Sequence, residues 1–232
     1  MQTLGRSNHH RMILMGYGGL GFALLLTGVA GMSSAFKPPR VLAADFVYYH
    51  ILALLFLLIG ARHLFSLPTE LKANWIFQIM EGEGRIEWLQ AVDRFVLVWG
   101  VAPLLLVPLP IEVRLLGLRG FAEVGLFLVL GLLAYEWTFS SWNKLPFTCS
   151  HLPGKTPVWV VLACFGLLGA LGLLHSLLLT ALYSGPLFAI VLALMVAVWW
   201  RIRRTRRQNW EEVRLKYEEA PELAIHGLNL LR

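Results

Sequence analysis

Between Lys155 and Arg201 the chain runs for 45 residues without one Asp, Glu, Lys or Arg. A helix rises about 1.5 Å per residue, so this run would extend about 67 Å, roughly twice the hydrocarbon depth of a bilayer. Such a stretch excludes a water-soluble single domain, and it excludes disorder. The rest of the chain agrees. It has 232 residues, 57% hydrophobic and 15% charged, against roughly 45–50% and about 25% in soluble domains. The class this implies is all-α: a polytopic transmembrane helix bundle of about six spans, with amphipathic helices at the interface.

Six apolar segments approach the length of about 20 residues that a bilayer requires. They are 12–32, 46–67, 95–111, 118–139, 158–182 and 187–200. The last two share the uncharged run, and Tyr183-Ser184-Gly185-Pro186 divides them, because Gly-Pro punctuates a helix. Residues 1–207 thus form a six-span domain, and 208–232 a short cytoplasmic tail. Lys and Arg set the orientation. With both termini inside, 16 basic residues fall on the inner side, including Arg6, Arg62, Arg94, Lys144 and the five arginines of Arg201–Arg207. Lys37, Arg40, Arg114 and Arg119, only 4, fall outside. The net charge of +6 therefore reflects a juxtamembrane cluster and gives no sign of a nucleic-acid partner.

The longest connection, 68–94, reads as two amphipathic pieces around Glu81-Gly82-Glu83-Gly84. Trp75, Ile76, Ile79 and Met80 share one helical face, and Ile86, Leu89 and Val92 continue at spacings of three. Both pieces are expected in the headgroup plane. Arg62-His63 and Asp93-Arg94 flank this loop and are expected to snorkel to headgroups. Pro103, Pro108 and Pro110 predict a kinked third span.

Gly16-Tyr17-Gly18-Gly19-Leu20-Gly21 matches G-x-G-x-x-G. A dinucleotide site would need a preceding strand and a downstream acid, and here the match lies in an uncharged span. The expectation is close helix packing through small residues, extended by Gly28, Gly31 and the Gly166, Gly169, Gly172 series.

Ionisable groups within spans are the first functional suspects, since each costs about 2.5–3.5 kcal/mol at mid-membrane on insertion scales. His50, Glu123 and His175 fall at similar depth, and together they could bind a transition metal or relay a proton. Separate structural roles explain them equally. Glu136 lies about 220° around the helix from Glu123, so the two form no dyad; it is expected to pair with Lys144 or reach water. A second candidate lies in Lys144-Leu-Pro-Phe-Thr-Cys-Ser-His-Leu-Pro-Gly-Lys155. Cys149 and His151 supply half a metal site at most. Lys144 and Lys155, with the Pro153-Gly154 turn between them, could accept a phosphate or an anionic headgroup. No motif calls for a cofactor or a resident metal, and catalytic residues are not identified.

Leu71-Lys-Ala-Asn-Trp-Ile-Phe-Gln-Ile and Lys144-x-Pro-Phe-Thr-Cys-Ser-x-Leu-Pro-Gly-Lys resemble an uncharacterised family of bacterial multi-spanning membrane proteins. The opening Thr3-Leu-x-Arg-Ser-x-x-His-Arg and the tail Glu218-Glu-x-Pro-Glu are also similar. The likeness runs over nearly the whole chain, which resembles the C-terminal half of longer members. The family's pattern has Tyr where this chain has His151, which weighs against a metal there. The resemblance implies a bacterial inner-membrane address and no activity. The expected function is a permease-like, transport-associated component. The chain has no P-loop, so a cytoplasmic ATPase or other membrane subunits would be its partners, alongside the lipid bilayer. A structural assembly subunit without chemistry is the alternative, and an intramembrane metal- or proton-dependent enzyme a further one.

Overall fold

The computed structural model describes residues 7–32, 39–68, 74–79, 81–107, 109–149, 166, 170, 173, 174, 177, 185–210 and 214–217. In order the helices are α1 (Asn8–Met32), α2 (Pro39–Ser66), α3 (Asn74–Ile79), α4 (Glu81–Val96), a π-helical turn (Leu97–Val101), α5 (Ala102–Leu106), α6 (Leu109–Leu116), α7 (Leu118–Phe139) and α8 (Gly185–Asn209). Among the described residues there is no strand, and five helical stretches are long and apolar enough to cross a membrane. These are Asn8–Gly28, Tyr49–Ser66, Gly84–Ile111, Gly120–Phe139 and Gly185–Asn209. The protein is a helical transmembrane bundle, and its apolar exterior belongs in lipid. The expected span 158–182 lies outside the described residues, apart from Gly166, Ala170, Leu173, Leu174 and Leu177, which are helical.

The core forms around α2. Leu54, Leu55 and Leu58 are fully buried at helical spacing, and Leu126, Phe127, Leu130 and Ala134 of α7 meet the same cluster. Within lipid, apolar burial gives helices little reason to associate, so close van der Waals fit matters more. Glycines supply that fit at three places. A Cβ on Gly131 would stand 2.8 Å from Leu54 Cδ2, one on Gly100 2.9 Å from Leu57 Cδ2, and one on Gly60 2.6 Å from Tyr17 Cγ.

The glycine row of α1 behaves differently from expectation. Among the described residues, nothing lies within 4 Å of a Cβ built on Gly16, Gly18 or Gly19. The stripe that faces α2 is His10, Tyr17, Gly21 and Gly28, at spacings of seven, four and seven, whereas Met12, Met15, Phe22 and Leu26 point outward. Smallness alone does not place a residue on the contact face; the Tyr17 ring lying on Gly60 does. Gly60→Ala is therefore expected to force α1 off α2 and to cost about 1–3 kcal/mol by overpacking. Gly18→Ala should cost nothing. Denaturation in mixed micelles compares the two.

The second amphipathic piece also departs from expectation. α4 runs into the third span through the π turn, so Glu81–Val96 is the base of that span and no separate surface helix. The cause is local. Pro103 has no N–H for the carbonyl four residues back, and the Ala102 N–H instead reaches Leu97 O, five residues back. The helix then breaks again before Leu109. Pro103 thus interrupts span three as read, and Pro108 lies outside the described residues. The first piece, α3, is a short separate helix with Ile76, Phe77 and Ile79 exposed, Ile79 by 75%. Gly117 joins α6 to α7 at φ 62°, ψ −138°, a region essentially confined to glycine.

One end of the bundle is closed by a layer of loops. Phe147 N–H donates to Phe65 O (2.9 Å), and its ring lies edge-on to Phe65 and His10. It does so at φ +67°, a left-handed backbone that costs a non-glycine residue about 1–2 kcal/mol. Residues 214–217 return to this layer. Lys216 N–H donates to Asn143 O (2.9 Å), Lys216 bridges Lys144, and Tyr217 donates its hydroxyl to Phe77 O (3.2 Å). Residues 214–217 are thus docked on this layer.

Candidate functional site

Beneath that layer lies a buried set of four charges. α4 supplies Asp93, α7 supplies Glu136 with its neighbour Tyr135, and α8 supplies Arg203 and Arg206. Arg203 Nη1 donates to Glu136 Oε1 at 2.9 Å, and its Nη2 to Asp93 Oδ2 at 3.0 Å. Arg206 Nη2 donates to Asp93 Oδ1 at 2.6 Å. Arg206 Nε stands 2.7 Å from Glu136 Oε2, an ion pair whose N–H is turned off the hydrogen-bond line. Each guanidinium therefore spans both carboxylates. The spacing of three along α8 puts the two arginines on one face, one turn apart.

Aromatic groups close the set. The Tyr135 hydroxyl donates to Asp93 Oδ1. The Arg206 guanidinium lies 5.0 Å from the Tyr135 ring centre and 5.3 Å from that of Trp210. Such faces attract a cation, the more so when water is excluded. Asp93 is 3% exposed and Glu136 0%. Two cations and two anions leave the set neutral, and hydrogen bonds accompany three of the four ionic contacts, the condition under which buried charge is tolerable. A polar cavity of about 330 Å³ opens onto Arg206, lined by Ser140, Ser141, Asn143, Asn209, Trp210 and Lys216 among others.

Asp93 and Glu136 thus correct two expectations. Asp93 does not snorkel, and Glu136 pairs with Arg203 and Arg206 in place of Lys144 or water. Arg62 also turns inward, donating to Thr138 O and to Ser141 Oγ (3.0 Å). In each case a partner on a neighbouring helix within reach replaces the headgroup.

The candidates read from sequence fall elsewhere. His50 is buried with its ring edge-on to Phe127. Glu123, one turn before Phe127 on α7, is buried, and its Oε2 has no hydrogen-bond partner among the described residues. His175, His151, Gly154 and Lys155 lie outside the described residues. Cys149 is a fully buried thiol, and Lys144 sits in the docked layer. Among the described residues no group of three or more His, Cys, Asp and Glu side chains is placed to hold a metal ion.

Arg203 and Arg206 were hidden in sequence by the arginine cluster, which accounts for itself as a membrane-side charge. The usable signal was Glu136: a carboxylate within a span requires a cation, and an i, i+3 arginine pair at the end of another span offers two. Comparison with family models, curated proteins and solved structures finds no match to this chain.

Proposed function

We propose that this protein is a transport-associated, permease-like membrane component, energised by a partner such as a cytoplasmic ATPase. The observation that carries the reading is the charge set, in which each arginine of α8 holds carboxylates from both α4 and α7. Buried intramembrane charge commonly marks a pathway or a moving part. Here it couples three helices, so a push on the closing layer would move them together. The docked 214–217 segment and loop 143–149 offer the surface for that push.

A sixth crossing belongs to this reading. The C-terminal ends of α7 and α8 meet at the charge set, and Phe188 to Met195 pack along the core. The two helices therefore run the same way, and the uncharged run before Gly185 is proposed to supply the crossing between them. The end bearing the charge set is proposed to face the cytoplasm of a bacterium, on the 16-to-4 split of basic residues. The family likeness of the loop motifs supports that address.

The test is purification in mild detergent followed by vesicle assays. Co-purification of an ATPase, and solute flux that Asp93→Asn reduces at least tenfold while the folded protein persists, are the expected results. No partner and no flux would favour the assembly-subunit reading, for which the neutrality of the charge set speaks.

A further inference from the structure

The outer face of α8 carries a second basic feature. Trp199, Trp200, Arg203, Arg204, Arg207 and Gln208 line an open cleft of about 520 Å³. Arg203 is committed inward to Asp93 and Glu136. Arg204 and Arg207 are exposed, and among the described residues neither has an acidic partner. The Arg204 guanidinium lies 5.3 Å from the ring centre of Trp200, itself 57% exposed.

We propose that this cleft binds the phosphate of an anionic phospholipid headgroup. Three observations favour lipid over a dissolved anion. The cleft sits at the end of the span, where apolar sequence gives way to arginine. Its walls are indoles, which prefer the membrane–water boundary. Exposed apolar side chains on the same helical face, Val196 and Ala193, continue from the cleft along the span where an acyl chain would lie. Arginine suits the acceptor, because its planar fork donates two hydrogen bonds to one phosphate. The positions repeat at 200, 204 and 207, one turn apart, so a ring wall and two forks face the same headgroup.

The experiment uses the full chain in detergent, with dioleoyl-phosphatidylglycerol as probe. Native mass spectrometry counts retained lipid, and thermal unfolding reads the stabilisation. Wild-type protein should retain the anionic lipid at least tenfold better than dioleoyl-phosphatidylcholine. Arg204→Gln/Arg207→Gln should lose that preference, while Arg204→Lys/Arg207→Lys should keep at least half of the bound lipid. Arg114→Gln/Arg201→Gln removes two exposed charges that do not line the cleft, and should leave binding unchanged. The proposal is overturned if the first pair retains lipid like wild type, or if the last pair loses it equally. It also fails if millimolar inorganic phosphate displaces the lipid, since the site would then serve a free anion.

Discussion

Arg206→Met is expected to lower the stability of the bundle by about 3–5 kcal/mol, the usual cost of leaving a buried charge without its partner. Asp93 and Glu136 would then share Arg203 alone, and the region would carry a net negative charge. Arg206 also lies against Tyr135 and Trp210, so the loss of cation–π attraction adds to the effect. The sign of a second change separates charge from packing. Arg206→Met combined with Glu136→Gln restores neutrality and should recover a substantial part of the loss. Unfolding titrations in mixed micelles measure wild type, Arg206→Met, Glu136→Gln and the double variant. If the double variant is as unstable as the sum of the singles, the four groups act independently and the coupling described above is wrong.

Phe65→Ala should cost a similar amount, about 3–5 kcal/mol for a large core aromatic. Phe65 is the meeting point of the closing layer. Its ring lies 5.9 Å from Phe95, 6.2 Å from Trp142 and 5.7 Å from Phe147. Its carbonyl holds the Phe147 N–H. Without the ring, Phe147 loses the contact that offsets its left-handed backbone, and loop 143–149 should detach. Limited proteolysis is expected to cut near Phe147 in the variant and not in wild type. Phe65→Leu, which keeps most of the apolar volume, should show less than half the loss of stability.

The described spans were legible in the chain because each depends on length and apolarity alone, which are local. The break in span three was legible for the same reason: Pro103 lacks a donor wherever it sits. What was not legible depends on which faces meet. Gly16, Gly18 and Gly19 of α1 are as small as Gly60 and Gly131, yet only the latter lie opposite a side chain that needs the room. Asp93 looks like an interfacial residue by position, and only the approach of α8 gives it Arg203 and Arg206. The continuation of α4 into the span was missed because the amphipathic pattern of 86–92 was read as surface, whereas Leu89 and Val92 pack on the core. Of the sites named from sequence, His50 and Glu123 are buried on α2 and α7 as read, and the charge set was not foreseen as a unit.

The π turn begins four residues beyond Asp93. A rod pinned electrostatically at its base, and wound more loosely just above the pin, has a pivot. The third span is thereby divided into a stem tied down through Asp93 and an upper part joined to it by the wider turn.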